Sequence, residues 1–574
     1  AITAKDGAVS IHSGAGNIDL TKGNITAKND ISLISDSGYI SIVGSNVDAR
    51  ANITSAAGNV TIKAGGGGTA VTLTSANITA AQGNISINGT TTGSYSGVRF
   101  DTVNMTVNSD FGLINVYASS RGYWDDYQEF GSLYFGRVNI FTASKMNFTG
   151  DNTGGYLGAG VAFKHSNVTF NGDAVISGSG GKGVGFRTST LNFNNGDSEI
   201  YGLSNKNTDS PDNYYGTGAI FFDGWSSYES TRLNVVLNNA NLTMSADSSN
   251  VKSNNPKYGV GAFSMSGIQT KTLVPGMIFS GVGNVSIIGK ANDGSGVEAR
   301  YFDNQNLQGG VSICGSSNTG VGVELSDRLA VSLKNANITG SSISGAGVDI
   351  TTGTSGNPVV ELGETKIKGT SDTGNGLNIN GDNVTIIGGA LTGVVTSGNG
   401  SGVVLTGGNN YNLDGTLVTG TATDGSGISV NGTLAVNNGT QVVGRATGDG
   451  DGVVVSGNLT TDAGNGVILD GTASSGDGIK VTGNTALTGA ILKGQTDSGS
   501  GVNIAGNLTT DRATTVTGQS TNGTGVNLGA SLSGGTVTGI SDTHTGLQLS
   551  DKANVAGSML SGSSTSGNGV VMKG

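Results

Sequence analysis

GNGLNI (Gly374–Ile379), GSGVVL (Gly400–Leu405), GSGISV (Gly425–Val430) and GDGVVV (Gly450–Val455) are four copies of one pattern: glycine, a small or polar residue, glycine, then apolar residues two apart. The glycines read as a turn, and the alternation after them as a short strand with one buried face. Working outward, the same mark stands as GSGVEA at Gly294, GAGVDI at Gly345, GDGIKV at Gly476, GSGVNI at Gly499, GTGVNL at Gly523 and GNGVVM at Gly567. Apart from two longer gaps, after Gly294 and after Gly523, successive copies recur at roughly 21 to 29 residues, the interval at which repeats signal the coils of a solenoid.

Between the marks lies a second alternation of period 2, as in ANITGSSIS, DNVTIIGGALTG and GNLTT, and nowhere is a helical spacing of i, i+3, i+4 sustained. Each coil therefore offers two or three short strands joined by Gly, Asn, Asp and Ser turns that tolerate positive φ. One coil cannot bury its own Val, Ile and Leu; stacked coils can. The expected fold is all-β, a right-handed parallel β-helix of roughly 25 coils at about 4.8 Å each, a rod on the order of 120 Å.

Three stretches differ in texture. Residues 1–93 carry GNIDL at Gly16, GYISI at Gly38, GNVTI at Gly58 and GNISI at Gly83, interleaved with NIT units at Asn24, Asn52 and Asn77. In residues 94–310 the mark survives as YSGVRF, GAGVAF, GKGVGF, GTGAIFF and GVGAF, but aromatic-rich insertions stretch the intervals: RGYWDDYQEFGSLYF, NKNTDSPDNYYG, FFDGWSSYES and KSNNPKYG. Insertions in a solenoid map to loops at the corners, where they can build a recognition face without disturbing the core. Residues 311–574 return to regular coils.

Composition narrows the function classes. The chain has 574 residues with 102 Gly, 4 Pro, 35% hydrophobic and 12% charged residues, and a net charge of -11. Scattered Lys and Arg on an acidic chain argue against nucleic acid and anionic membrane surfaces, and no run approaches the roughly 20 apolar residues of a spanning helix. A start at Ala1 reads as a processed product or an excised fragment. The single cysteine, Cys314 in GGVSICGS, reads as a small core residue, so stability is expected from stacked strands and not from disulfides or structural metal.

The GNI and GNV strand starts, the NIT units and the G-x-G-V coils together resemble the filamentous haemagglutinin class of exoproteins, exported by two-partner secretion. That class includes high-molecular-weight adhesins and the stalks of contact-dependent inhibition proteins. The resemblance covers nearly the whole chain. It implies a secreted or bacterial cell-surface location, an outer-membrane transporter as export partner, and attachment to host or neighbouring-cell glycans or proteins. The chain has neither the NPNG or NPNL elements of the amino-terminal secretion domain nor a VENN element, so the resemblance implies an internal segment of a longer exoprotein.

About nineteen Asn-x-Ser/Thr sequons occur, among them Asn24, Asn52 and Asn77. The first reading is structural, since Asn at a turn followed by Ile or Val and then Thr suits a β-helix coil. Some members of the resembled class carry sugars on such residues, which leaves glycosylation of Asn24, Asn52 and Asn77 as the second reading.

For chemistry, the insertions matter most. Asp125, Asp126 and Glu129 flank Trp124, and Asp212, Asp223 and Glu229 lie among Tyr214, Tyr215 and Trp225, an acid-plus-aromatic composition that suits a sugar site. A β-helical polysaccharide lyase or hydrolase is therefore one alternative, and a passive stalk of a contact-dependent inhibition protein is another. His12, His165 and His544 are far apart with no metal-ligand spacing, and GDGDGVVVSG lacks the order of calcium-binding turns, so no metal, cofactor or catalytic residue is assigned. The expectation is a non-enzymatic adhesin. Its ligand-binding residues are Tyr123, Trp124, Asp125, Tyr127, Tyr214, Tyr215, Asp223 and Trp225, whose rings would stack on sugars while the acids fix hydroxyls.

Overall fold

The computed structural model describes the chain except residues 122–130, 155–157, 206–217, 223–231, 252–260, 265–275, 301, 328–329, 354–358, 409, 462–465, 551–552 and 574. The described residues contain no helix. Parallel strands stack into a β-solenoid of about 19 turns. Two compact units form, Ala1–Ser312 and Ile313–Gly574.

Each coil carries three strands, here called first, second and third in chain order. In the first unit they begin with Val9–Ser13, Ile18–Thr21 and Asn24–Ala27, which pair with Ile31–Ser35, Ile40–Val43 and Ala51–Ser55 of the next coil. Like side chains stack in register: Ile25 on Ile53 on Ile78, and Leu33 on Ile62. All five are essentially inaccessible to water. Burial of such columns, at about 25 cal/mol per Å², supplies the main driving force.

The turn total is lower than the roughly 25 expected, because coils in the middle are long. A regular step is 24 or 25 residues, as between Ala174 and Ser198, whereas Thr190 and Asn234 are neighbours 44 residues apart. The GNI and GNV starts also divide: Ile18 and Ile40 share the second face, while Val60 and Ile85 share the first. One turn chemistry serves two corners. At both, a serine hydroxyl accepts the N–H of the glycine three residues on, Ser35 to Gly38 and Ser55 to Gly58.

In the second unit the marks open the second strands, giving the column Val348, Leu377, Val403, Ile428, Val453 and Ile479. Two copies escaped the sequence pattern. Gly320–Leu325 (GVGVEL) and His544–Leu549 (HTGLQL) occupy the same place, the latter with His544 N bonded to Ser541 Oγ where the other coils use glycine.

Why the mark needs its second glycine is a correction to the turn reading. Gly376, Gly402, Gly427 and Gly452 are not among the positive-φ residues. A Cβ on Gly369, Gly393, Gly420 or Gly444 of the first strand would overlap the carbonyl of the mark glycine that follows it, and a Cβ on Gly376, Gly402, Gly427 or Gly452 would overlap the first-strand backbone of the next coil. The first and second strands meet backbone to backbone at this corner, leaving no room for a side chain. The left-handed corners lie elsewhere, at Asn335, Glu364, Gly388, Gly415 and Asn438.

Cys314 is exposed, against expectation. Val311–Ser317 alternates with Val311 and Ile313 inward, which turns Ser312 and Cys314 outward.

Candidate functional site

The second face of the first unit departs from the pattern of buried and open residues. In an ordinary coil its inward residues are buried and the alternate ones open, as in Ile40–Val43. From residue 131 onward both sets are buried: in residues 131–136, 159–163, 182–186, 218–222 and 261–264 every side chain or Cα is withdrawn from water. The sequence carries the cause, since GVAF, GVGF and GAIFF are continuous apolar runs and not alternations, as strands covered on both sides require.

Inward, the phenylalanines of the marks form a ladder. Phe100, Phe135, Phe163, Phe186, Phe222 and Phe263 follow one another with ring centroids 5.4, 4.6, 5.2, 5.5 and 5.7 Å apart. A second ladder, Phe141, Phe170 and Phe193, rises on the third face with spacings of 5.7 and 5.3 Å. Part of the aromatic enrichment of residues 94–310 is therefore core.

Outward, the register assembles one column from seven strands: Arg99, Tyr134, Ala162, Gly185, Phe221, Ser264 and Glu298. Tyr134, Ala159, Ala162 and Phe221 pack as an apolar cluster separate from the inner core. Gly185 is required here, because a Cβ would strike the Phe221 ring. Charges are built into the layer. Arg99 Nε donates to Asp101 Oδ2 at 2.9 Å while its guanidinium lies 4.9 Å from the Tyr134 ring centroid. Lys182, only 5% exposed, sets its ammonium 4.7 Å from the Phe221 ring. Glu298 accepts from Ser264 Oγ at 3.1 Å and pairs with Arg300 at 2.9 Å. Buried charges need such partners, and a ring face offers a desolvated cation up to about 2 kcal/mol. Burial pushes the Tyr134 hydroxyl above its usual value; Arg99 opposes and Asp101 adds to the shift.

The eight residues assigned to ligand binding from sequence lie outside the described residues: Tyr123, Trp124, Asp125 and Tyr127 in 122–130, Tyr214 and Tyr215 in 206–217, Asp223 and Trp225 in 223–231. Their attachment points are described. Segment 122–130 leads into Gly131, 206–217 leads into Gly218, and 223–231 leaves from Phe222, all on the second face. The sequence reading missed the residues of the outer layer of this face: Arg99, Asp101, Tyr134, Lys182, Phe221 and Glu298. The apolar runs could have revealed the covered face; the charges gave no signal, since nothing in local sequence says a lysine in a strand will be buried.

Asn24, Asn52 and Asn77 stack in register on the third face. Asn52 Nδ2 donates to Asn24 Oδ1 at 3.0 Å and to the Arg50 carbonyl at 3.1 Å, and Asn77 Nδ2 donates to Asn52 Oδ1 at 2.8 Å. All three lie in strands and not at the turns where the sequence reading put them. Among the described residues no three His, Cys, Asp or Glu gather as a metal site, and no helix is long and apolar enough to cross a membrane.

No protein-family profile, curated protein or solved structure matches the chain.

Proposed function

We propose that this chain is a bacterial surface-attachment protein whose recognition face is the second face of residues 94–310, and that its ligands are glycans or proteins of host or neighbouring cells. One observation carries the reading. Among the described residues, only there does a solenoid sheet bury its outer side, in a layer of aromatic rings and paired charges, and the aromatic-rich insertions join the chain at the ends of those strands. A stalk needs no such layer. A spacer coil is sufficiently served by small residues outside, most of them polar, as Asn378, Val404 and Ser429 serve on the second face of the second unit. Attaching Trp- and Tyr-rich segments to a rigid sheet suits recognition, because a site anchored on strands loses little entropy on binding. Secretion through an outer-membrane transporter belongs to the same proposal and rests on the haemagglutinin-like repeats.

The test is whole-cell and glycan-array binding by the purified chain and by Trp124→Ala, Tyr214→Ala and Trp225→Ala. Loss of about tenfold or more in affinity with an unchanged melting curve supports the reading; unchanged binding by all three overturns it. Release of shortened oligosaccharides on incubation with polysaccharide would favour a lyase or hydrolase instead.

A further inference from the structure

A groove of about 650 Å³ opens between the second and third strands of three successive coils in the second unit. Its side-chain lining is Thr406, Asn410, Asn431, Thr433, Ser456 and Asn458, and the rest of the lining is glycine. Among the described residues, no ionisable group lines it.

Two features make this more than a corner between strands. The first is a broken polar column. Asn383, Asn410 and Thr433 stand in register, with Asn458 next above. Beyond Asn458 the column bonds coil to coil: its Oδ1 accepts Asn484 N at 2.8 Å, Asn484 Oδ1 accepts Asn507 N at 3.0 Å, and Asn507 Oδ1 accepts Ser531 N at 3.1 Å. At Thr433 the series stops. Among the described residues, the side chains of Thr406, Asn431, Thr433 and Ser456 have no hydrogen-bond partner, so their hydroxyls and amide are available to a ligand.

The second feature is Tyr411. It sits in the inward column Val360, Val384, Tyr411, Leu434, Leu459, where every other member is aliphatic. The ring is 1% exposed, yet its hydroxyl reaches the groove wall, accepting from Gly408 N at 3.1 Å and donating to the Asn431 carbonyl at 3.1 Å. It ties the loops of two coils together from below and holds the wall in place before any ligand arrives.

We propose that this groove binds a short neutral oligosaccharide. Amide and hydroxyl side chains match sugar hydroxyls as both donors and acceptors. Glycines let a pyranose ring approach the backbone, and the volume suits about two or three rings. Nucleotides, phosphates and uronic acids find no countercharge, and apolar ligands find too little apolar lining. The site lies within residues 313–574 and is independent of the recognition face proposed above.

The experiment uses the full chain. Saturation-transfer NMR and calorimetry are run with maltotriose, cellotriose and chitotriose as neutral probes and trigalacturonate as the charged one. At least one neutral trisaccharide is expected to bind. The triple variant Asn431→Ala, Thr433→Val, Ser456→Ala is expected to weaken it about tenfold or more. Tyr411→Phe, which keeps the ring in the core, is expected to weaken it severalfold without altering the melting temperature by more than a few degrees. Shortening 206–217 leaves this affinity unchanged, which separates the site from the first unit. Absence of neutral-sugar binding at about 10 mM probe, preference for trigalacturonate, or full binding by the triple variant overturns the proposal.

Discussion

Nδ2 of Asn52 lies 3.0 Å from Oδ1 of Asn24, one coil below, and Oδ1 of Asn52 accepts Nδ2 of Asn77 at 2.8 Å from the coil above. A side-chain ladder of this kind repeats the backbone ladder beside it, and each amide in its interior is committed to neighbours on both sides. Asn24 is exposed at the open end of the series.

That commitment bears on the two uses of the sequons. A sugar replaces one amide hydrogen and adds bulk at the nitrogen, where Asn52 donates both hydrogens, to Asn24 and to the Arg50 carbonyl, and Asn77 donates to Asn52. Glycopeptide mass spectrometry of protein made in a glycosylating host is expected to find Asn52 and Asn77 unmodified, with any sugar in the series on Asn24. Asn52→Ala should cost about 1–2 kcal/mol in denaturant unfolding, since it strands the Arg50 carbonyl and two amide groups. High occupancy at Asn52 would contradict the ladder.

Neither Gly369 nor Gly376 has room for a Cβ: on Gly369 it would strike the Gly376 carbonyl, and on Gly376 it would strike the backbone at Val394 in the next coil. Gly369→Ala or Gly376→Ala should destabilise the second unit by about 3 kcal/mol or more, because the clash is with backbone and not with a side chain that can turn away. Gly14→Ala is the control: nothing lies within 4 Å of the added methyl group. Equal melting curves for the two kinds of variant would refute the close-approach account.

Glu364 holds φ at 49°, a left-handed value, at a corner where Gly388 and Gly415 stand in later coils. Glu364→Gly should raise stability by about 1 kcal/mol, relief of backbone strain exceeding the added chain entropy. A lower unfolding midpoint would show that the Glu364 side chain contributes more than its backbone costs.

Burial, the largest influence, raises the Asp349 carboxyl above 3.8, while hydrogen bonds from Asn378 and Thr351 draw it down. The fold then binds this proton more tightly than the unfolded chain does. Its stabilising effect is complete below pH 3.8 and is lost as pH rises through the raised value. Asp349→Asn keeps an acceptor for Asn378 and removes the charge, so the variant should be the more stable at neutral pH and show a flatter profile between about pH 3 and 7. Parallel profiles for the two proteins would contradict the assignment.

Much of this was legible in the sequence. The G-x-G-V marks placed the second strands, and period 2 gave the alternation of Ile338, Gly340 and Ser342 inward against Thr339 and Ser341 outward. What local pattern could not carry was the third dimension. GNIDL and GNVTI look alike, yet they lie on different faces, because the same serine-glycine turn chemistry closes two corners. The mark glycines looked like turn residues, but their constraint comes from strands nearby in space. The outer layer of Arg99, Tyr134, Lys182 and Phe221 was signalled only by lost alternation in GVAF and GAIFF. The groove at Thr433 had no signal at all, since it arises from a hydroxyl interrupting a column of asparagines contributed by different coils.

The most direct test of the recognition face is to remove what is attached to it and leave the sheet intact. Segments 122–130, 206–217 and 223–231 are each replaced by short Gly-Ser links, and binding to cells and to a glycan array is compared with the parent at matched thermal stability. Binding to cells is expected to fall to background. Retention of parental binding by the shortened, folded protein would contradict the account and return the regular coils to the role of ligand-bearing surface.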